Sequence, residues 1–217
     1  MWNTYVAIGD SIAEGFGDQV PGYDNHGWVP LVVGQLRKLN PGMKAYNFGQ
    51  PGSTIETVKR FQIEGALAKA PDLVTLTIGA NDANEPGWSP LSFASQYAGL
   101  LQDLISSRRT LITMTYPSSK DIFRGKFGNR ALANGWSHYF ERLNDINQTI
   151  RETSKTYNLM CLEFEDFEPF SDPQNLSRDM VHPNSKGYWH AAQYILKLFQ
   201  THFALPDSAL IIQETDR

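Results

Sequence analysis

Cysteine is almost absent from this chain of 217 residues, since Cys161 is its single example. A disulfide framework requires paired cysteines, so the sequence excludes a small fold held together by disulfides. Cys161 lies in the apolar run of residues 158–162, where a small buried side chain is a more frequent role than a reactive thiol. The chain must therefore be stabilised by a hydrophobic core.

The chain also lacks an excess of basic residues. Its formal net charge is −4 and its pI is about 5.7, so electrostatics give no reason to expect nucleic acid or an anionic membrane surface as a partner. No apolar stretch approaches the roughly 20 residues of a membrane-spanning helix. The first residues lead directly into a predicted strand without the basic and apolar regions of a secretory leader, and we therefore expect a cytoplasmic protein.

Several enzyme motifs are missing from the sequence. There is no Gly-x-Ser-x-Gly elbow, which argues against the α/β-hydrolase fold. No Gly-x-Gly-x-x-Gly follows the first predicted strand, so a dinucleotide cofactor is not expected. We expect no metal either, because four of the histidines lack the paired spacing of metal ligands. These four are His26, His138, His190 and His202.

Short apolar runs with β-branched residues alternate with longer segments of helical periodicity. This alternation predicts an α/β fold with five β-α units and a parallel sheet covered by helices on both faces. The length is consistent with one domain spanning residues 1–217, with a long variable loop at 116–137 and a tail at 206–217. The predicted strands are residues 4–8, 44–48, 73–78, 110–115 and 159–164.

Three predicted helices show an apolar stripe at helical spacing, which marks the face that each should bury. One stripe lies within residues 31–39, a second within 143–150 and the third within 188–199. Their members are Leu31, Val32, Gln35, Leu36 and Leu39, then Leu143, Ile146 and Ile150, and then Tyr188, Ala191, Ala192, Ile195, Leu196 and Phe199.

Reactive side chains follow the strands, where parallel sheets place their ligand sites. Ser11 comes directly after the first strand, and Asn81 follows the third. Gly52 precedes a helix for which Ser53 and Glu56 have the spacing of a capping box, so unpaired backbone N–H groups are expected nearby.

An acid and a base stand close together near the other end of the chain. A serine hydroxyl becomes a good nucleophile when a histidine takes its proton and a carboxylate orients that histidine. Asp179 and His182 are three residues apart, a spacing that lets them meet within one helical turn. Ser11, Asp179 and His182 are therefore the candidate catalytic residues.

Each of these residues also has a simpler explanation when it is taken alone. Ser11 has the position of an ordinary helix cap, and His182 that of a packing or capping residue before Pro183. Asn81 and Gly52 are typical of turns. Their joint occurrence after separate elements is what favours catalysis.

Four sequence blocks together resemble the SGNH (GDSL-type) hydrolase superfamily, whose members include lipases and esterases. The blocks appear in the order of the family and span nearly the whole chain. The first departs from the family signature in having Ile12 where many members carry leucine. The blocks are Gly9-Asp10-Ser11, residues 47–54 (Asn-Phe-Gly-Gln-Pro-Gly-Ser-Thr), Gly79-Ala80-Asn81-Asp82 and residues 179–183 (Asp-Met-Val-His-Pro).

The resemblance implies a three-layer α/β/α, flavodoxin-like fold and assigns a role to each block. Ser11 would be the nucleophile, His182 the general base and then acid, and Asp179 the residue that orients the imidazole. The backbone N–H groups of Ser11 and Gly52 and the side-chain amide of Asn81 would form the oxyanion hole. Asp10 is expected to hydrogen-bond within the loops of the site without a chemical role.

The leading hypothesis is a cofactor-independent serine esterase that hydrolyses short or medium acyl esters of small molecules through an acyl-enzyme. Lysophospholipase, thioesterase and carbohydrate acetylesterase activities stay open within that class, as does the oligomeric state. The alternative from another class is a non-catalytic flavodoxin-like module that binds an anion at its helix N-termini.

Aromatic residues in the loops are candidates for shaping the pocket. Phe123, Phe127 and Trp136 lie in the long loop at 116–137 among basic residues, which is consistent either with an apolar lid or with a surface loop over the core. Position after a predicted strand is the only reason to assign three further features to the pocket. These are Trp28, Trp88 and the loop of residues 23–27. The aromatic residues would select the substrate.

Overall fold

The computed structural model describes residues 1–23, 27–118, 136–206 and 212, except for the side chains of residues 136 and 137. Its strands form one five-stranded sheet in the order β2-β1-β3-β4-β5, and all the paired strands are parallel. The predicted α/β class is confirmed, and each strand starts and ends within two residues of its predicted bounds. The strands are β1 (Thr4–Gly9), β2 (Lys44–Asn47), β3 (Leu73–Thr77), β4 (Thr110–Met114) and β5 (Met160–Leu162).

Helices cover both faces of the sheet, as the three-layer prediction requires. Helices α2 and α7 pack together on one face, whereas α3, α5 and α6 contribute to the core on the other. Short 3₁₀ helices lie at Asp82–Asn84, Glu168–Ser171 and Pro173–Asn175. The α-helices of the described residues are α1 (Ser11–Glu14), α2 (Trp28–Leu39), α3 (Ile55–Phe61), α4 (Ile63–Leu67), α5 (Pro90–Leu104), α6 (Trp136–Thr156) and α7 (Ser185–Phe203).

The predicted apolar stripes face the core. All six stripe residues of α7 and all three of α6 are buried, and in α2 the ends of the stripe, Leu31 and Leu39, are only partly buried. In the tail, Ile212 is buried against the α2 and α7 side of the sheet. Its neighbours Leu210 and Ile211 lie outside the described residues.

The start of α3 differs from the prediction. Thr54, and not Ser53, is the N-cap, and its capping box is formed with Thr57 in place of Glu56. The Ser53 side chain accepts a hydrogen bond from Gln62, and its carbonyl oxygen accepts one from Asn81. Only Ser53 with Glu56 fits the usual Ser/Thr-x-x-Glu/Gln pattern, but Ser53 and Thr54 are both residue types suited to an N-cap. Contacts with distant residues decide which of them caps the helix.

The sheet order determines where the site lies. Strand β1 has β2 on one side and β3 on the other, so the direction in which the chain crosses the sheet reverses at β1. Parallel sheets bind ligands at such a switch point, outside the carboxyl ends of the strands. Ser11 follows β1 there, and Asn81 follows β3 at the same edge.

Two further expectations concern features away from the site. Cys161 is half-buried, and its burial raises the pKa of the thiol to about 11, which keeps the group protonated as expected of a structural cysteine. Among the described residues, no helix combines the length and the hydropathy needed to cross a bilayer.

Candidate active site

A tight turn after β1 presents Ser11. Gly9 has a φ of 142°, and a Cβ at this position would lie 1.9 Å from the carbonyl oxygen of Thr77, so the strand can end in this way only with glycine. Asp10 caps the short helix α1, its Oδ1 accepting the N–H of Ile12 at 2.9 Å. Ser11 is therefore the first residue of a helix, held rigidly at the switch point and only 7 % exposed.

The structure brings Ser11, His182 and Asp179 into one continuous chain of hydrogen bonds. The Ser11 Oγ lies 2.8 Å from His182 Nε2, and His182 Nδ1 lies 2.7 Å from Asp179 Oδ2. With the proton on Nδ1, the imidazole donates to the carboxylate and accepts from the serine hydroxyl, which is the arrangement a general base requires.

Asp179 is held in its charged form by its neighbours. Its Oδ1 accepts the backbone N–H groups of Val181 and His182 at 2.9 and 3.0 Å. Burial raises the pKa of this carboxyl, but the hydrogen bonds from His182 and Val181 outweigh that effect and hold the pKa below its usual value. The carboxylate can thus stabilise a positive charge on the imidazole.

The turn that carries His182 is fastened to the loop after α1. Ser177 N donates to the His182 carbonyl at 2.8 Å, which closes the turn on itself. The Ser177 hydroxyl accepts the N–H of Asp18, and the Asp18 carboxylate accepts the N–H of Arg178, both at 2.8 Å. The edge of the Phe16 ring meets the imidazole, with 4.9 Å between centroids. These contacts keep the imidazole over Ser11.

The three N–H donors predicted to hold an oxyanion belong to Ser11, to the loop after β2 and to the loop after β3. Neither Ser11 nor Gly52 donates its backbone N–H to another group within the part of the chain that the structure describes. Gly52 has a φ of 77°, a conformation that favours glycine, and a Cβ there would meet no atom within 4 Å. Asn81 donates to the Ser53 carbonyl at 2.9 Å and so uses one of its two amide hydrogens. The second hydrogen remains for a ligand.

Gln62 links the serine turn to the oxyanion loop, and sequence reasoning missed it. Its Oε1 accepts the Gly9 N–H at 2.9 Å, and its Nε2 donates to the Gly9 carbonyl at 2.8 Å and to Ser53 Oγ at 3.2 Å. Gln62 is 3 % exposed and lies 53 residues from Gly9 in sequence. A lone glutamine at the end of a helix carries no local signal of such a role.

We expect replacement of Gln62 by leucine to lower kcat by about ten- to a hundredfold with little change in KM, because small displacements of reacting groups cost that much. It should also destabilise the fold, by about 1–3 kcal/mol for each buried group left unpaired. Gln35→Leu is the matched control, since Gln35 is equally buried but lies on α2 with its Oε1 unpaired in the described residues. Steady-state kinetics and thermal melting measure both effects. A Gln62→Leu enzyme with unchanged kcat would show that Gln62 is purely structural.

Asp10 is the buried acid next to the nucleophile, and it hydrogen-bonds within the site as expected. Its Oδ2 accepts the hydroxyl of Tyr116 at 2.7 Å, and burial raises the pKa of the carboxyl to about 6. Tyr116 is fixed in turn by Asn147, whose amide bonds both its N–H and its carbonyl at 2.7 Å. Neither Tyr116 nor Asn147 was recognised from the sequence, because only the tertiary structure brings them to Asp10.

Asp82 is a second buried acid near the site. Its Oδ1 accepts the N–H of Ile55 at 3.1 Å and so connects the Asn81 loop to the start of α3. Burial raises the pKa of this carboxyl to about 6. Asp82 thus fixes the loop that carries Asn81, whereas Asn81 and Asp82 taken alone suggest only a turn.

A cavity of about 250 Å³ adjoins Ser11 and His182. Trp28 lines this cavity, as predicted, whereas Trp88 does not: it lies in a separate depression beside α5. Residues 119–135 and 24–26, which include most of the proposed lid, lie outside the described residues. Trp136 belongs to α6 and not to the loop.

Within the described ranges, no three acidic, histidine or cysteine side chains are grouped as metal ligands would be.

Comparison with known proteins identifies the family. Residues 7–190 match the GDSL-like lipase/acylhydrolase family, which covers most of the chain. The chain belongs to this family. An acetylxylan esterase from Geobacillus stearothermophilus is 27% identical over 204 residues, which cover 88% of this chain and 90% of that protein. The predicted membership of the SGNH superfamily is thus confirmed.

Solved structures of the family have the same fold. The structure of an acetylxylan esterase from G. stearothermophilus gives a TM-score of 0.68 at 21% identity, covering 90% of this chain and 93% of that one. A lipase/acylhydrolase from Enterococcus faecalis gives 0.66 at 20% identity, covering 92% and 96%. At such identities the likeness establishes the fold alone, and it confirms the flavodoxin-like architecture.

Family membership establishes the class of reaction. This GDSL-like protein is an enzyme that hydrolyses ester bonds, and carboxylic esters are its substrate class.

Proposed function

We propose that the protein is a cofactor-independent serine esterase that forms an acyl-enzyme on Ser11. The observation that carries the proposal is the continuous contact from Ser11 Oγ to His182 Nε2 and from His182 Nδ1 to Asp179 Oδ2, at 2.8 and 2.7 Å. A serine, a histidine and a carboxylate hydrogen-bonded in that order beside a cavity form the arrangement with which serine hydrolases activate their nucleophile.

In the acylation step, His182 takes the proton of the Ser11 hydroxyl while Oγ attacks the ester carbonyl. The carbonyl oxygen acquires negative charge, and the N–H groups of Ser11, Gly52 and Asn81 stabilise it. The imidazolium, stabilised by Asp179, then gives its proton to the leaving alcohol. The acyl group remains on Ser11 as an ester.

In the deacylation step, water takes the place of the alcohol. His182 accepts a proton from the water, whose oxygen attacks the acyl carbon through a second oxyanion at the same donors. Collapse of this intermediate releases the carboxylic acid and returns the proton to Ser11. Asn81 carries no charge, so it can stabilise the oxyanion without binding the anionic product tightly.

The second candidate activity is that of a carbohydrate acetylesterase. The name of the Geobacillus relative, an acetylxylan esterase at 27% identity, favours it. Lysophospholipids and thioesters share the acyl chemistry and stay within the proposal. A cytoplasmic location likewise remains a proposal.

Covalent labelling distinguishes an esterase from the flavodoxin-like anion-binding module. We expect a fluorophosphonate to modify the native protein once, at Ser11, because only a serine activated by a base reacts with this probe. The Ser11→Ala protein should not be labelled. Ser106→Ala, which removes an exposed serine distant from the site in sequence, serves as the control and should be labelled like the wild type. Intact-mass and peptide mass spectrometry measure the outcome, and a native protein that stays unlabelled contradicts the proposal.

A further inference from the structure

The cavity beside Ser11 extends well beyond the reacting groups into the interior of the protein. Its inner part lies between the carboxyl edge of the sheet and helix α7, and we refer to it as the inner chamber. The wall of the inner chamber is apolar and almost completely buried. It is formed by Met114, Phe164, Phe170, Leu176, Ala191 and Ile195.

The inner chamber is elongated along α7. Tyr188, Ala191 and Ile195 all line the cavity, and their spacing of three and four residues places them on one face of the helix. With a rise of about 1.5 Å per residue, Ile195 lies roughly 10 Å further along the axis than Tyr188. The helix begins three residues after His182, so the chamber leads away from the site. Its shape suits an extended chain better than a compact group.

The polar groups in the wall already have partners within the protein. Trp28 Nε1 donates to the carbonyl of Ile12 at 2.9 Å, and the Tyr188 hydroxyl donates to the carbonyl of Phe16 at 2.8 Å. The Thr115 hydroxyl accepts a backbone N–H at 2.7 Å. A sugar hydroxyl in the chamber would lose its hydrogen bonds to water with little compensation, whereas a hydrocarbon chain loses none.

The volume of the cavity exceeds the needs of an acetyl group. An apolar cavity of roughly 150 Å³ holds a benzene ring, which has six carbons. The whole cavity, which also has a wall formed by Tyr139, Phe140 and Leu143 outside the inner chamber, measures about 250 Å³. The single methyl group of an acetyl ester would leave the inner chamber largely empty, and the side chains of its wall would lack contacts on that side.

We propose that the inner chamber holds the acyl chain of the substrate, and that the preferred esters carry a linear chain of about four to eight carbons. This inference rests on the proposed function, because the chain enters the chamber by being attached to Ser11 Oγ through its acyl carbon. The preferred substrate is thereby a medium-chain acyl ester and not an acetate ester.

Burial of the chain has a measurable consequence. Each methylene group moved from water into the chamber should raise kcat/KM by about fourfold, until the chamber is full. Longer chains should gain nothing more or lose activity, since they either protrude or force the wall apart. Ala191 and Ile195 lie on the face of α7 that limits the length.

The test measures kcat/KM for p-nitrophenyl acetate, butyrate, hexanoate, octanoate and decanoate with the full chain. We expect the wild-type value for hexanoate to exceed that for acetate by at least about tenfold. Ala191→Leu should lower this hexanoate-to-acetate ratio, and Ile195→Ala should move the optimum toward decanoate. Ile150→Ala is the matched control, because Ile150 is as fully buried as Ile195 but packs on the opposite face of the sheet. Its ratio should equal that of the wild type.

The outcomes separate this inference from the proposed function. A wild-type enzyme that hydrolyses acetate faster than every longer ester overturns the acyl-chain inference and leaves the esterase intact. A chain that hydrolyses none of the esters overturns both. Equal shifts in Ile195→Ala and Ile150→Ala overturn the role of the chamber. If Ala191→Leu does not fold, the wild-type ester series and the comparison of Ile195→Ala with Ile150→Ala still test the inference.

Discussion

Ser11→Ala is expected to lower kcat for p-nitrophenyl ester hydrolysis by about 10⁵- to 10⁶-fold, the loss typical of removing the nucleophile of a serine hydrolase. Without Oγ no acyl-enzyme forms, and the remaining groups can only assist a direct attack by water. The oxyanion donors and the binding cavity stay in place, so residual catalysis above the uncatalysed rate should persist. Steady-state kinetics with release of p-nitrophenolate measures the loss.

The fold should survive this change. Within the described residues, the Ser11 side chain makes no hydrogen bond apart from that to His182, and its helix is capped by Asp10. Circular dichroism and thermal melting should therefore match the wild type to within a few degrees. Residual activity above about one per cent in a folded Ser11→Ala protein would place the nucleophile elsewhere, since triad losses are far larger.

His182→Ala is expected to have the second large effect, a loss in kcat of about 10⁴- to 10⁶-fold, because the serine hydroxyl then keeps its proton. The three residues act as a unit, so the Ser11→Ala, His182→Ala double variant should lose no more than either single one. Asp179→Asn should be less severe, with a loss of about 10⁴-fold. The same ester assay, run as a double-mutant cycle, measures the coupling.

Additive losses in that cycle contradict the assignment, since independent contributions mean that His182 does not act through Ser11. His138→Ala provides a control histidine: it is well exposed, at 82 % of its side-chain area, and pairs only with Glu141 beside it on α6 among the described residues. Its kcat should stay within about twofold of the wild type, as expected of a surface substitution away from the site.

The acyl preference bears on how the family likeness is interpreted. The relatives named acetylxylan esterase share about a quarter of their residues with this chain, so most positions differ between them. Specificity lies in different residues, those that receive the acyl group and the alcohol. If the acyl-chain inference holds, this chain and its relatives differ in acyl preference while belonging to one family.

The fold followed from sequence patterns that act locally. Buried β-branched strands and apolar stripes at helical spacing depend on neighbours a few residues away, so all five strands and the faces of α6 and α7 were predicted. The prediction of the capping box at α3 was wrong, because Ser53 and Thr54 are both suited to an N-cap and the more usual pair, Ser53 with Glu56, is not the one that forms. The hydrogen bonds that Ser53 makes with Gln62 and Asn81 settle the choice, and they arise from packing.

The candidate site divides in the same way. The sequence proposed Ser11, Gly52, Asn81 and the 179–182 segment from residue type and position along the chain, and the structure joins Ser11, His182 and Asp179 by hydrogen bonds. Gln62 and Tyr116 could not be proposed, since each hydrogen-bonds a partner more than 50 residues away. Trp88 was assigned to the pocket by position alone, and the structure places it in another depression.

The sequence by itself indicated the candidate chemistry, because residue type, spacing and position after a strand are local features. The tertiary structure alone decided that Ser11 and His182, 171 residues apart, lie 2.8 Å from each other. It also decided the size of the cavity, which is the space left between the carboxyl edge of the sheet and helices α6 and α7 after they have packed. The volume of such a cavity depends on how closely the surrounding side chains pack, and no local sequence pattern encodes that packing.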